Sequence, residues 1–395
     1  MMAAAARAAS RRHDTLTALR RHCRAALRPL LLVLPVLLLL TGCASDRFAD
    51  YAPLDLAVQR PYPVAVPQVA RDGAQLERYD PARSFFPLAL SGALVEYGRG
   101  PYSHPARGFT AVLMADFNAV TADPEQPLEA QLAAADGARL MLLRARPDTW
   151  GDLQHAALLD ASDVAVIAMP RGSDGIAGFA RSLQQQARER RPVWALLPVS
   201  ARTGNGETLP DPAEARMLAF AALAAGATGL IWQGADNYAA RNAGRLGIAA
   251  TPQMDYGIQA SSRIAPLKAT AGEVAASRRL WDAVMQLNRR IARIVPALLQ
   301  PDAPEHYTLA TRIDPTPRAP VQLYSLLKPY DGGLLLIVVN AGERSEDFRI
   351  GFSRAVRAAV RLDETDPLDR DDARGLLRDQ IAPRGVRLYR ITLAG

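Results

Sequence analysis

The stretch Asp211-Pro212-Ala213-Glu214-Ala215-Arg216-Met217-Leu218-Ala219-Phe220-Ala221-Ala222-Leu223-Ala224-Ala225-Gly226-Ala227-Thr228-Gly229-Leu230-Ile231-Trp232 reads as one complete helix-to-strand unit. Asp211 offers a carboxylate to the free amides of a helix start, and Pro212 suits the first helical position. Glu214 stands where a capping box places its reciprocal acid. Met217, Phe220, Ala221 and Ala224 recur on one face and predict a buried stripe. Gly226 predicts the stop, and Gly229-Leu230-Ile231-Trp232 reads as a short apolar strand.

Runs of the same kind recur upstream, at residues 85–94, 109–115, 140–145, 164–170 and 193–199, and the unit's own strand extends over 228–233. They are nearly continuous in apolar residues, with helical periodicity between them. That pattern predicts a parallel sheet covered on both faces. Pro127 predicts a helix start and Asp136-Gly137 its end. Residues 273–295 predict a long amphipathic helix. Leu280, Trp281, Val284, Leu287, Ile291 and Ile294 lie on its apolar face, and Pro296 and Pro301 are expected to close it. After Pro304 the pattern predicts antiparallel strands at 307–313, 321–327, 334–340, 347–352, 356–362 and 386–393. Asp331-Gly332-Gly333 serves as a tight turn, and the whole reads as a small β-sandwich.

The N-terminal region sets the address. Arg7, Arg11, Arg12, Arg20, Arg21, Arg24 and Arg28 precede the apolar run Leu30 to Leu40, which ends in Leu40-Thr41-Gly42-Cys43. A basic region before a short apolar region is the pattern of a signal peptide. The run falls short of the roughly 20 apolar residues needed to span a bilayer. Small residues before a single cysteine resemble the lipobox of bacterial lipoproteins. That resemblance implies lipidation at Cys43 and a membrane tie through the lipid. Ala44 after the cysteine resembles the pattern sent to the outer membrane of Gram-negative bacteria. The expected organisation is a signal peptide over 1–42, a proline-interrupted tether and lead-in segment over 43–82, an α/β domain over 83–302 and a β-sandwich over 303–395.

Composition excludes several function classes. Residues 1–42 hold seven Arg and one Asp, a net +6 of the formal +7, so the remainder stands at +1 and gives no reason to expect nucleic-acid binding. Beyond the leader, Cys43 is the one cysteine, and His104, His155 and His306 show no zinc-ligand spacing. The acidic residues Asp363, Glu364, Asp366, Asp369, Asp371 and Asp372 fail the calcium-loop order, because Arg374 takes the turn position that needs glycine. Interleaved Arg370, Arg374 and Arg378 make a solvated loop the expectation. No metal and no cofactor is expected. Gly-x-Ser-x-Gly and glycine-rich phosphate loops are absent from the sequence.

Three stretches carry a resemblance to glycoside hydrolases built on a (β/α)8 barrel with an appended β-sandwich. Ser162 to Pro170 resembles the family's sixth strand, Arg191 to Leu197 its seventh, and Gly226 to Trp232 its eighth. Leu326 to Asn340 resembles a strand pair of the sandwich. The resemblance runs from about Phe85 to the C-terminus. It implies an α/β fold, a TIM-barrel-like domain followed by a small antiparallel β-sandwich. The chain departs from it in that only Pro147 to Ala161 separates the third strand from the sixth, so the fourth and fifth strands are expected to be missing and the barrel shortened.

In such barrels the site lies at the C-terminal ends of the strands. There the sequence predicts Asp116 and Asn118 after the second strand, Arg144 and Arg146 after the third, and Asp174 after the sixth. Gln233, Asp236, Asn237 and Tyr238 follow the eighth. Asp174 also reads as a helix cap. Asp116 with Asp236 is the one acid pair expected to converge. Trp150, Trp232 and Tyr238 are aromatic faces suited to sugar rings, while Trp194 and Trp281 read as core. The seventh strand ends Leu197-Pro198-Val199-Ser200 without a carboxylate. Three functions stay open: an envelope lipoprotein that binds a polysaccharide or other glycan without cutting it, a glycosidase using Asp116 and Asp236, and a scaffold with an envelope protein partner.

Overall fold

The computed structural model describes residues 50–54, 69–72, 75–77, 84–91, 112–122, 128–137, 139–145, 153–155, 164–171, 173–188, 192–202, 207–234, 245–248, 270–313, 320–362 and 368–395. Ala52–Gly395 form one compact unit. Its first half is organised by a sheet of β1 (Leu88–Ser91), β2 (Ala119–Thr121), β3 (Met141–Ala145), β4 (Leu153–His155), β5 (Ala165–Ala168), β6 (Val193–Pro198) and β7 (Gly229–Gln233). The spatial order is β4-β3-β2-β1-β7-β6-β5. All neighbours run parallel except β4, which pairs antiparallel with β3.

The pairing of β7 with β1 is the decisive one. Leu230 stands opposite Leu88 and Trp232 opposite Leu90. The last strand of the α/β region thus returns to the first, which is the cyclic order of a barrel sheet rather than of a doubly wound one. Among the described residues β4 and β5 are its two edges. One antiparallel strand therefore stands where the sequence left two strands unaccounted for.

Side chains alternate between two apolar faces. Ala89, Ala119, Met141, Leu143, Val166, Trp194, Leu196 and Ile231 form one cluster. Leu88, Leu90, Val120, Leu142, Ala165, Ala195, Leu230 and Trp232 point the other way, into the cluster that holds the helices. Burial of both faces is why these strands read as continuous apolar runs. Trp194 is fully buried, as expected for a core residue.

Four helices are described: α1 (Leu128–Gly137), α2 (Ser173–Arg188), α3 (Pro212–Ala225) and α4 (Ala271–Leu298). In α3 Asp211 caps the amide of Glu214, and Gly226 closes the helix at φ 104°. An L side chain rarely adopts that φ, so glycine is the fitting C-terminal residue. The expected buried stripe is too narrow. Met217 through Ala225 are all buried, because α3 lies between the parallel sheet and a second sheet. Alanines at 219, 221, 222, 224 and 225 let both sheets approach.

The α4 helix departs from expectation at both ends. Thr270 and Glu273 make a reciprocal capping box that starts it two residues before the expected Glu273. Pro296 lies inside the helix instead of ending it. A proline two residues from a helix end removes one late hydrogen bond and keeps a helical φ, so the last turn survives.

The second half is a β-sandwich. Its inner sheet runs in the order β9 (Leu323–Tyr330), β10 (Gly333–Asn340), β15 (Val386–Leu393) and β12 (Val356–Arg361). Its outer sheet contains β8 (Tyr307–Arg312), β11 (Glu346–Phe352), β14 (Leu376–Ile381) and β13 (Asp369–Asp371) in that order. The β9–β10 hairpin turns at Asp331 and Gly332, with φ of 48° and 69°, as two-residue hairpin turns require. The inner sheet is buried on both faces. Leu335, Ile337 and Val339 pack toward α3, and Leu334, Leu336 and Val338 toward the outer sheet.

Two expectations fail here for a common reason. Residues 109–115 read as a strand, yet 112–114 are helical and the strand is Ala119–Thr121. The acidic residues at 369–371 read as a solvated loop, yet they form β13, paired with β14. A short segment takes its state from the partner it pairs with, and that partner lies far along the chain.

Candidate functional site

The C-terminal edge of the parallel sheet is built from the ends of the strands. Ser91 and Thr121 end β1 and β2 as buried polar residues, and Gln233 ends β7 half-buried. Beyond Gln233 the chain passes through Gly234 at φ 125°. A Cβ there would stand 3.1 Å from the Ser200 nitrogen and closer still to the Ser200 side chain. Only glycine lets the end of β7 press against the end of β6 in this way.

The residues flanking 235–244 are pinned at this edge. Val199 donates its amide to the Gln233 carbonyl at 2.9 Å, and Ile248 donates to the Gly234 carbonyl at 2.8 Å. Leu246 and Arg245 pair antiparallel with Ala201 and Arg202. Ser277 of α4 donates its hydroxyl to the Gly247 carbonyl at 2.5 Å. The stem that carries the predicted ligand loop is thus anchored to β6, β7 and α4.

Next to it a recess of about 590 Å³ is lined by Arg171, Thr208, Leu209, Asp211, Glu214 and Arg384. Arg171 holds Glu214 through two parallel hydrogen bonds, Nε to Oε1 at 2.7 Å and Nη2 to Oε2 at 2.8 Å, and donates Nη1 to the Thr208 carbonyl at 2.5 Å. The expected reach of Glu214 back to Asp211 is therefore replaced by a stronger, charge-assisted partner. The hydrogen bond that Arg171 donates to Glu214 raises the Arg171 pKa above its ordinary value against the opposing effect of burial. Arg384, from the sandwich, contacts Glu343 at 3.1 Å and Asp211 at 3.5 Å. The charges in this recess neutralise one another, and Glu214 is committed to Arg171. None of these pairs was legible in the sequence, since Arg171 and Glu214 stand 43 residues apart.

The predicted site residues divide sharply. Asp116 lies before β2, at a left-handed turn with φ 59°, and forms an ion pair with Arg289 of α4 at 2.5 Å. It therefore stands at the N-terminal edge of the sheet and not after a strand, a consequence of the displaced β2. Asn118 shares that edge. Its Oδ1 accepts the Leu88 amide at 2.8 Å and its Nδ2 donates to the Phe86 carbonyl at 2.9 Å, so it fastens the starts of β1 and β2. Trp232 is fully buried on the helix-facing side, where its indole donates to Asn288 Oδ1 at 3.1 Å. Its expected role as an exposed stacking face is corrected to one of core packing. The Asn288 amide continues to the Ala115 carbonyl at 3.2 Å.

Arg144 lies in β3, opposite Gln154 of β4. Asp174 falls in the first turn of α2, which begins at Ser173. Of the predicted ligand residues, Gln233 and Arg144 are described at the C-terminal ends of parallel strands, β7 and β3. Asp236, Asn237, Tyr238, Arg146, Trp150 and Cys43 lie outside the described residues.

No family model matches the chain, and no curated protein sequence matches it. Solved structures do. An AmyP variant in complex with maltotriose shares 10% identity, covering 78% of this chain and 97% of its own, at a TM-score of 0.38. The α-amylase of Geobacillus thermoleovorans complexed with acarbose shares 10% identity over 72% of this chain and 63% of its own, at a TM-score of 0.36. A GH30 endoxylanase from Clostridium papyrosolvens shares 11% identity over 78% and 65%, at a TM-score of 0.29. The fold assignment rests on the strand registers, not on these superpositions.

Proposed function

We propose that this chain is an envelope lipoprotein, anchored through Cys43 in the outer membrane, whose barrel-like sheet binds a polysaccharide without hydrolysing it. One observation carries the non-catalytic part. The described parallel strands end at Ser91, Thr121, Ala145, Ala168, Pro198 and Gln233, and none of these ends is a carboxylate. Glycoside hydrolysis needs two carboxyl groups about 5–5.5 Å apart for retention or about 6.5–9.5 Å apart for inversion. Glu214, in the first turn of α3, is held by Arg171. Asp116 belongs to the other edge and to Arg289, which argues against the Asp116–Asp236 glycosidase. The polar run Gln233 to Tyr238, on its anchored stem, is the segment assigned to the glycan.

The test uses the full chain in neutral detergent, offered a panel of neutral polysaccharides. Binding without release of reducing ends, weakened in Asn237→Ala and Tyr238→Ala, is the expected result. Reducing ends released by the wild type and lost in Asp236→Asn would overturn the reading in favour of a glycosidase. Neither binding nor release, together with a crosslinked envelope protein, would favour the scaffold. For the anchor, incorporation of labelled palmitate is expected in the wild type and should disappear in Cys43→Ser. Equal labelling of both chains would remove the lipoprotein assignment.

A further inference from the structure

A basic groove lies on the helix layer, away from the strand ends. A groove of about 630 Å³ runs between α3 and α4, with Arg216, Arg289, Arg290 and Arg293 along its sides. Its floor is apolar and small, made of the buried Ala215 and Leu287 with the half-buried Ala283, and among the described residues no acidic one lines it. That volume suits a ligand of a few rings.

The arginines are presented, not scattered. Arg289 and Arg293 are four residues apart on α4, so their side chains lie one above the other, about 6 Å apart along the helix axis. That rise is close to the length of one pyranose unit. Arg290 is held over the Phe220 ring of α3, 5.6 Å from its centroid, a contact to the ring face that orders the side chain. Arg289 also forms an ion pair with Asp116, and both side chains are about half exposed. Arg293 is exposed and forms no ion pair among the described residues. The sequence signal was visible as the charged face of the α4 pattern, which reads equally as ordinary solvated helix surface.

We infer that the α3–α4 groove binds an acidic oligosaccharide through its carboxylates. The Arg293 guanidinium offers two parallel hydrogen bonds to one such carboxylate, and the other arginines add positive charge along the groove. The floor of alanine and leucine methyl groups meets the C–H face of the sugar ring. Concavity favours a chain laid into the groove over the flat headgroup plane of a membrane. The groove lies on the helix layer, so this inference does not depend on the strand-end reading.

The experiment uses the full chain in neutral detergent and titrates oligogalacturonate against a neutral maltooligosaccharide of equal length. Oligogalacturonate is expected to bind with an affinity that falls as salt rises, and Arg293→Glu should weaken it by about tenfold or more. Arg293→Gln, which keeps the helix surface neutral, should show a smaller loss, and thermal melting of both variants reports their folding. Binding of the maltooligosaccharide should be indifferent to either change. Absent oligogalacturonate binding, or binding unchanged in Arg293→Glu, overturns the inference. So does an Arg293-dependent response to phosphatidylglycerol mixed micelles or inorganic phosphate in place of oligogalacturonate, which would make the groove a phosphate site. The strand-end reading is tested on neutral polysaccharides with different variants, so either can fail alone.

Discussion

Replacing Asp379 with alanine is expected to destabilise the protein by about 3–5 kcal/mol, the range for breaking a buried ion pair by removing one partner. The carboxylate is 4% exposed and sits between the two sheets of the sandwich. It accepts Arg361 Nε at 2.8 Å, the Tyr389 hydroxyl at 2.6 Å and the Gln380 amide at 2.7 Å, and Arg361 Nη2 completes a two-pronged contact. Arg387 stands 3.8 Å away. Alanine would leave the Arg361 guanidinium, itself 12% exposed, without its counter-charge. Urea unfolding should show the loss as a lower midpoint at an unchanged slope. A change under about 1 kcal/mol would mean that water replaces the carboxylate, and the network would then be ornamental.

The same network has a pH signature. Burial pushes the Tyr389 hydroxyl well above its ordinary value of 10.0, and the negative charge of Asp379 adds to this. A raised folded pKa keeps its stabilisation complete below the unfolded value and loses it as pH rises beyond that value. Stability should therefore fall above about pH 10, where the unfolded chain ionises Tyr389 and the folded one does not. In Tyr389→Phe that alkaline fall should be shallower. Its plateau at neutral pH should be lower by about 1.5–3 kcal/mol, the size of one hydrogen bond to a charged group.

Trp232→Ala is expected to cost about 3–5 kcal/mol, as a large aromatic side chain removed from a packed core does. Trp232 is fully buried, and its indole N–H satisfies Asn288, which is also fully buried. Alanine opens a cavity between β7 and α4 and leaves the Asn288 oxygen without its donor. Trp232→Phe should lose less, because the ring volume is largely kept. Chemical denaturation distinguishes this from a ligand-stacking role: a variant of wild-type stability with weakened glycan binding would restore Trp232 to the site. A sugar-binding defect in Trp232→Ala alone therefore has to be read against its melting curve.

Much of the fold was legible because its signals are local. Asp211, Pro212 and Gly226 bound α3, and Asp331-Gly332 turns the β9–β10 hairpin, each through backbone geometry within a few residues. Thr270-Ala271-Gly272-Glu273 was equally local, and a search for the Thr-x-x-Glu pattern finds the true start of α4. Residues 109–115 misled because a short apolar run satisfies strand and helix periodicity alike. The site was less legible. Assigning Asp116 and Asn118 to it depended on where β2 lay, and a shift of a few residues carried both to the opposite edge.

By itself the sequence determined the alternation of apolar strands and helices, the antiparallel second half and the helix caps, since hydrogen bonding and side-chain periodicity within a segment suffice for these. Tertiary structure alone decided which elements meet. It closed β7 onto β1, set α3 between two sheets, turned Trp232 inward to Asn288, took Glu214 from its own helix cap to Arg171, and aligned four arginines from α3 and α4 along one groove. Each of these joins residues far apart in the chain. A side chain's partner is chosen by the packing of whole elements, and no spacing within a segment encodes it.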